Sequence, residues 1–228
     1  MGDIVVIGHR GAAGYYPENT LLSFRKAFEM GVDYVELDVR LSSDSIPVVI
    51  HDETLDRTTN GRGYVKDYTV EELKRLDAGL GERIPTLEEA LRLAIEMNGK
   101  LLIEIKDVEA VDEVVSLVRE YDFIRSCKII SFYIEALKRV PSYIERGLIY
   151  AWPGKWIIEA IKLRATTILP KYNLVSERMV KYAHLRGLKV YTWNIDDRDT
   201  ALRIISTGVD GIASNKPDII LKLLNRME

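Results

Sequence analysis

The sequence predicts an α/β fold, a closed (β/α)8 barrel that spans residues 1–228 as a single domain. Apolar runs rich in β-branched residues recur roughly eight times, with amphipathic helical patterns between them. A chain of 228 residues is long enough for such a barrel. The glycines after the first strand lack the G-x-G-x-x-G spacing of an open dinucleotide-binding sheet, which favours the closed form.

The first two strands lead to an interruption of the alternating pattern. A strand is predicted at residues 3–9, a helix at 19–31 and a second strand at 33–39. A short extended piece at 47–52 follows, and residues 53–84 are then rich in Thr, Gly and Asp. This segment is predicted to be a small insertion after the second strand.

Helix signals support these assignments and the regular alternation that follows the insertion. In the first helix Leu22, Ala27 and Phe28 are predicted to share the apolar face. Inside the insertion, Thr69 and Glu72 have the spacing of a capping box at the start of a short helix. Beyond it, a helix is predicted at 85–97 and strands at 100–106, 127–132, 146–151, 166–170, 188–194 and 209–214.

Composition indicates a small-molecule enzyme rather than a nucleic-acid or membrane protein. The formal charge of −3 and pI near 5.8 offer no basic field for nucleic acid. No apolar stretch reaches the roughly 18 residues of a membrane span, and no secretory signal pattern is present, so a cytoplasmic location is expected. The lone Cys127 cannot form an intramolecular disulfide and is expected to be a buried hydrophobe. A homo-oligomer is left open.

Acidic side chains occur inside two predicted strands. Glu36 and Asp38 are two residues apart, as are Glu104 and Lys106, so each pair shares a strand face. Three carboxylates at one barrel end would repel, at about 4 kcal/mol for a pair ~4 Å apart. One divalent cation would relieve this, and oxygen ligands favour Mg²⁺, Ca²⁺ or Mn²⁺ over zinc. The alternative is a set of ion pairs, with Lys106 neutralising Glu104 and Arg40 reaching Asp38.

Two of the three histidines also lie at the ends of extended segments. His9 and His51 are predicted to act as general base and general acid across a bound phosphate, whose oxygens Arg10 and Lys106 hold. The third, His184, lies near a helix end and is expected to have a surface role.

These motifs resemble those of the glycerophosphodiester phosphodiesterase family. The similar stretches are "HRGAAGYYPENTLLSFRKA", "GVDYVELDVRLSSDSIPVVIHDETLDRTTNGRG", "IPTLEEAL", "LLIEIK" and "GVDGIASNKPD", in order across nearly the whole chain. The resemblance implies a TIM barrel with a small insertion after the second strand. It also implies metal-dependent hydrolysis of glycerophosphodiesters, in lipid and glycerol metabolism, to sn-glycerol 3-phosphate and an alcohol such as choline or ethanolamine.

Site roles follow from the resemblance. It implies acid/base catalysis by the two predicted histidines, with Glu18 supporting the site. Where the family often has Trp in strand 7, this chain has Tyr191, with Trp193 two residues on, and either could contact substrate. The roles implied are: catalytic, His9 and His51; metal ligands, Glu36, Asp38 and Glu104; phosphate contacts, Arg10 and Lys106. Less favoured are Lys171 as a secondary contact, Trp152 as a rim aromatic and Asn215, for which a helix cap is an adequate explanation.

Other functions fit parts of the pattern. The same site could hydrolyse lysophospholipids in the manner of a lysophospholipase D, although no amphipathic membrane segment is evident. A non-catalytic phosphodiester-binding barrel should lack a catalytic or ligand residue, and none is missing. A sugar-phosphate isomerase or aldolase is compatible with the fold alone. The nucleophile, water or the glycerol 2-hydroxyl, is left open.

Overall fold

The computed structural model describes residues 4–227 and confirms the predicted barrel. Eight parallel strands form a ring, which closes because β1 pairs with both β2 and β9. A ninth strand, β3, pairs antiparallel with β2. The strands are β1 Val5–Gly8, β2 Tyr34–Leu41, β3 Pro47–Val49, β4 Leu101–Ile105, β5 Cys127–Ser131, β6 Glu145–Tyr150, β7 Thr167–Pro170, β8 Lys189–Thr192 and β9 Gly211–Ser214. Asp3, in the first predicted strand, lies outside the described residues.

Helices surround the ring, and their buried faces supply the outer core. The helices are α1 Leu21–Met30, α2 Val70–Leu73, α3 Leu87–Glu96, α4 Val111–Glu120, α5 Ile134–Arg139, α6 Trp156–Lys162, α7 Glu177–His184, α8 Arg198–Ile205 and α9 Pro217–Leu223. In α1 the predicted apolar face is confirmed for Ala27, which is buried, and for Phe28, which is partly buried and packs on the same core. Leu22 is not part of that core, and Phe24 is buried there. Thr20 is the N-cap of α1, and its side chain accepts from the backbone N–H of Ser23.

Alternation along β2 separates the core from the site. Val35, Leu37 and Val39 are fully buried in the cluster that packs strands against α1 and α3. By the period of two, Glu36 and Asp38 project from the opposite face, into the barrel. Parallel strands are covered on both faces, so these carboxylates are removed from water unless the barrel mouth admits it.

The predicted insertion packs on a core of its own. Its apolar residues Leu55, Val65, Leu73 and Ile84 are buried together with Val48 of β3. Thr69 and Glu72 make the predicted capping box at α2. The insertion is therefore anchored to β3, directly before His51. Across residues 4–227, none of the helices has both the length and the apolar character needed to cross a bilayer.

Candidate active site

A cavity of about 120 Å³ is lined by both charged and apolar side chains. Its charged and polar lining comprises His9, Arg10, Glu36, His51, Glu104 and Lys106. Its apolar lining comprises Leu102, Ile130, Phe132, Ile149, Leu169, Trp193 and Ala213. Except for Glu36, these polar residues lie at or just beyond the C-terminal ends of β1, β3 and β4, which is where (β/α)8 barrels place their active sites. Glu36 lies near the start of β2, one residue beyond Val35, which pairs with Gly8 at the end of β1.

The turn after β1 carries His9 and Arg10. Arg10 has a left-handed backbone (φ 51°), and its N–H donates to Glu36 Oε2 at 2.9 Å. Gly11 is also left-handed (φ 85°), and a side chain there would place Cβ 2.4 Å from Ser23 Oγ. Small residues follow the histidine and arginine because this turn packs directly on α1.

The three predicted acids converge. One carboxylate oxygen from each of Glu36, Asp38 and Glu104 lies within 4.8 Å of the other two, and the residues are only 4%, 1% and 7% exposed. The convergence follows from register, since Asp38 pairs with Glu104 across β2 and β4. Glu36 Oε1 is buried and accepts no hydrogen bond from residues 4–227. A buried oxygen of this kind costs free energy unless it is bound, so the cluster fits a divalent cation.

Two positively charged side chains, Lys106 and Arg10, contact the acids. Lys106 Nζ lies 2.6 Å from Glu104 Oε1 and 3.1 Å from Asp38 Oδ1. Arg10 Nε lies 3.0 Å from Asp38 Oδ2. With all five groups ionised the formal charge of the cluster is −1, and a divalent cation would change it to +1, which suits a phosphodiester anion.

The ion-pair alternative is right for one pair and wrong for the other. Lys106 does contact Glu104, as that alternative expected. Arg40 does not reach Asp38, because its Nη1 pairs with Asp107 Oδ1 at 2.5 Å and its Nε donates to the backbone oxygen of His51.

Burial raises the pKa of two of the acids, whereas two neighbouring basic side chains lower the pKa of the third. Burial, followed by the nearby carboxylates Asp38 and Glu104, raises the pKa of Glu36 well above its usual value. Burial also raises the pKa of Glu104 to about 7, against the opposing charge of Lys106. Burial would raise the pKa of Asp38 too, but Lys106 and Arg10 together hold it below its usual value. Asp38 is therefore the member of the cluster that ionises most readily.

Asn215 and Asp196, both from the C-terminal part of the chain, determine the tautomer of His9. Its Nδ1 lies 2.7 Å from Asn215 Oδ1, while Asn215 Nδ2 donates to Asp196 Oδ2 at 2.6 Å. Because Asp196 fixes which amide atom faces His9, we assign the proton to Nδ1 and the acceptor role to Nε2, which Asn194 Nδ2 approaches at 3.4 Å. His9 Nε2 lies 3.9 Å from Glu36 Oε2, at the acid cluster. Burial, then the charge of Arg10, lowers the pKa of His9 to about 4, so the imidazole is neutral.

His51 lies across the same cavity, two residues beyond β3. Its Nδ1 donates to Asp52 Oδ1 at 2.6 Å, which leaves Nε2 as the other reactive nitrogen. Burial lowers the pKa of His51, and Asp38 and Asp52 oppose that shift. The two imidazoles thus have different partners, an amide for His9 and a carboxylate for His51.

The aromatic candidates differ in depth. Trp193 lines the cavity, and its indole N–H donates to the backbone oxygen of Leu169 at 2.8 Å. Tyr191 is 2% exposed and belongs to the apolar cluster inside the barrel, not to the cavity lining. Of the two candidates, Trp193 is the one that lines the cavity. Phe132 packs edge-on against Trp193 (centroids 5.8 Å apart) and stacks on Trp152 at 6.3 Å, so an aromatic row leads from the cavity to the rim.

The remaining residues considered from the sequence lie at the edge of the active-site cavity or outside it. Glu18 Oε1 accepts from Arg10 Nη1 at 2.7 Å, at the edge of the site. Asn215 is not the cap of α9, because Lys216 is the N-cap. Lys171 is partly exposed and is not among the cavity-lining residues. His184 Nε2 pairs with Asp210 Oδ2 at 2.8 Å on the surface, as expected for a helix-end residue.

Sequence reasoning missed several polar residues that hold the predicted ones. Asn19, which precedes the N-cap Thr20 of α1, donates to Asp38 Oδ2 at 2.8 Å. Asn194 Nδ2 lies 3.1 and 3.4 Å from the two ring nitrogens of His9. Asp196 and Arg57 were not singled out at all. They lie in connecting segments, where no periodic pattern marks a side chain as facing the site.

Comparison with known proteins gives consistent matches. The sequence model described as the glycerophosphoryl diester phosphodiesterase family matches residues 9–219. The chain is 36% identical to a glycerophosphodiester phosphodiesterase of Caldanaerobacter subterraneus, over 97% of this chain and 98% of that protein. It is 30% identical to one from Bacillus subtilis, over 96% and 86% of the two chains.

Solved structures give the same picture. The fold is similar to that of an Oleispira antarctica phosphodiesterase in complex with the product sn-glycerol-3-phosphate, with a TM-score of 0.91, 31% identity and coverage of 97% and 96% of the two chains. It is also similar to the crystal structure of a glycerophosphodiester phosphodiesterase from Thermotoga maritima, with a TM-score of 0.83, 28% identity and coverage of 98% and 99%.

Proposed function

Because the chain belongs to the glycerophosphoryl diester phosphodiesterase family, we propose that it is a metal-dependent hydrolase that uses two histidines to cleave glycerophosphodiesters. The products are sn-glycerol 3-phosphate and an alcohol. The observation that carries this proposal is that two imidazoles, two carboxylates and two basic side chains line one cavity, with the third carboxylate, Asp38, within 4.8 Å of the other two. The product bound to the Oleispira antarctica phosphodiesterase supports glycerol 3-phosphate as the product here. A cytoplasmic role in lipid and glycerol metabolism is part of the same proposal.

Glu36, Asp38 and Glu104 would hold the divalent cation, with Mg²⁺ or Ca²⁺ favoured and Mn²⁺ as a further candidate. When bound, such a cation supplies Lewis-acid stabilisation of the charge that develops on the phosphoryl oxygens. The chain's own contribution is to bury the three carboxylates and to provide Arg10 and Lys106 as fixed donors beside them. These donors bind the non-bridging oxygens of the diester.

The two histidines divide the proton transfers. His9 is neutral and presents Nε2, so it is the better base for the attacking hydroxyl. His51 has a carboxylate on Nδ1 that stabilises its imidazolium form, so it is the better acid for the departing alcohol. The attacking hydroxyl belongs to water or to the glycerol 2-position. Phosphorus NMR during turnover separates these, because only attack by the 2-hydroxyl passes through a cyclic phosphate.

The test is an assay of a glycerophosphodiester panel with Mg²⁺, Ca²⁺ and Mn²⁺ in turn, with glycerol 3-phosphate detected. We expect activity to be lost in chelator and restored by one of these ions. His9→Asn and His51→Asn should each lower kcat by roughly 10²- to 10⁴-fold, the range for general acid–base groups. Turnover within a few-fold of the parent in both variants would exclude the acid/base assignment.

A second candidate substrate is a lysophospholipid, and the aromatic row favours it. Trp152 is 55% exposed, and it meets Trp156 at 6.1 Å beside a groove lined by Tyr150, Ile157, Met179 and other residues. An exposed apolar track continuous with an active site suits an acyl chain. Rates on glycerophosphocholine and lysophosphatidylcholine discriminate the two candidates, since only the second substrate has a chain to place there.

A further inference from the structure

We propose that Arg57, in the insertion, is a positioning residue that orients His51 through Asp52. This inference rests on the proposed function, in which His51 is a catalytic acid. The Arg57 guanidinium contacts the carboxylates of Asp52 and Glu18 at the same time. Arg57 Nε and Nη2 donate to Asp52 Oδ2 and Oδ1 at 2.6 and 3.0 Å. Arg57 Nη1 and Nη2 donate to Glu18 Oε2 and Oε1, both at 2.8 Å.

The contact with Asp52 determines what His51 can do. Asp52 Oδ1 accepts both from Arg57 and from His51 Nδ1, at 2.6 Å from the latter. With both carboxylate oxygens held by one planar guanidinium, the Asp52 side chain has a single orientation. The imidazole ring of His51 is then fixed with Nδ1–H towards Asp52 and Nε2 free for substrate.

The contact with Glu18 joins this unit to the other side of the site. Glu18 Oε1 also accepts from Arg10 Nη1 at 2.7 Å, and Arg10 Nε lies 3.0 Å from Asp38. Arg57 therefore spans the turns after β1 and β3, which carry the two predicted catalytic histidines. Arg57 belongs to the insertion. It follows Leu55 by two residues, and Leu55 is fully buried in the insertion's own core.

Exposure indicates that the function of this arrangement is orientation rather than stability. The Arg57 side chain is 47% exposed, whereas those of Asp52 and Glu18 are 27% and 21% exposed. Ion pairs so close to water contribute little to folding. The paired contacts of a planar guanidinium nevertheless fix the orientation of the Asp52 carboxylate and, through it, of the His51 ring. A histidine that transfers a proton must be held in such a fixed orientation.

The kinetic test compares Arg57→Met with Arg62→Met, a substitution of an exposed arginine in the same insertion. We expect Arg57→Met to lower kcat roughly 10- to 100-fold, as for other partners that orient a histidine, with KM within about threefold. Arg57→Lys should recover little, because an ammonium cannot pair with both carboxylates. Arg62→Met should match the parent. Equal kcat in Arg57→Met and the parent would overturn the proposal.

A double mutant tests whether Arg57 acts through His51. In a His51→Asn background, Arg57→Met should cost less than about threefold further, because groups that act as a unit are not additive. A full additional loss would overturn the proposal by showing that Arg57 acts elsewhere.

A spectroscopic measurement decides the matter without any substrate. The His51 Nδ1–H resonance, assigned by comparison with His51→Gln, should be lost to solvent exchange or shifted in Arg57→Met and retained in Arg62→Met. An unchanged resonance in Arg57→Met would overturn the proposal. If the parent fails to hydrolyse glycerophosphodiesters, the proposed function fails, whereas this measurement still reports on the contact between Arg57, Asp52 and His51.

Discussion

Glu36→Gln should stabilise the protein in chelator while removing its response to metal. The nearest carboxylate oxygens of Glu36, Asp38 and Glu104 lie within 4.8 Å of one another. At an effective dielectric constant near 20, each ionised pair at that separation repels by about 3.5 kcal/mol. This repulsion cannot destabilise the folded state by more than it costs to protonate Glu36 instead. Keeping a carboxyl of usual pKa near 4.5 protonated at pH 7 costs about 3 kcal/mol.

A gain of about 1–3 kcal/mol in the free energy of unfolding is therefore expected at pH 7, since Gln keeps an oxygen to accept the Arg10 N–H. The sign follows from the raised pKa of Glu36. Above the usual value of 4.5 the unfolded state releases the proton more readily, so the parent loses stability as pH rises and the gain from Gln grows. At pH 4 the gain should nearly vanish.

Urea unfolding in chelator at pH 4 and pH 7 measures this gain. Exposed Glu113→Gln is the control and should stay within about 0.5 kcal/mol of the parent. Metal at about 100 times its Kd should stabilise the parent by about 2.7 kcal/mol and Glu36→Gln by much less. A variant less stable than the parent in chelator at pH 7, or equally stabilised by metal, would refute the reasoning.

Three further outcomes follow from the structure. The lowered pKa of His9, about 4, means that the parent should lose up to about 3 kcal/mol of stability as pH falls from 6.5 to 4, because the unfolded state binds the proton first. His9→Asn should lack that part of the slope in urea unfolding, and identical slopes would contradict the assignment. Burial raises the pKa of Cys127 to about 12, so a thiol reagent at pH 8 should label the protein only after unfolding, and rapid native labelling would contradict this. Trp152→Ala should raise KM for lysophosphatidylcholine roughly tenfold, about 1.4 kcal/mol, and leave KM for glycerophosphocholine unchanged; equal changes would remove the proposed chain site.

The barrel and the strand faces of its acidic residues were predictable because both depend on short-range periodicity. Glu36 and Asp38 share a strand face whatever the rest of the chain does. That Asp38 lies beside Glu104 depends on the register of β2 and β4, which the sequence does not specify. The strand face alone also could not separate Tyr191 from Trp193. The two face the same side, but Trp193 is one step closer to the mouth and lines the cavity.

The residues that orient the histidines were not predictable for a different reason. Asn215 precedes a proline at a helix start, and the local rule predicts a cap. Asp196, 19 residues away, binds its amide instead and directs its oxygen to His9. Arg57 likewise meets Glu18 across 39 residues. Such partners are set by the packing of connecting segments, so tertiary contacts override the local preference.

The most direct test of the central claim is a single assay applied to the parent and to two variants. Glycerol 3-phosphate released from glycerophosphocholine is measured in the parent before chelation, in chelator and after divalent metal is returned, beside His9→Asn and His51→Asn. We predict release that is lost in chelator, restored by metal and reduced by at least 10²-fold in both variants. Undiminished release in chelator, or from both variants, would contradict a site in which these acids and imidazoles act on one phosphodiester.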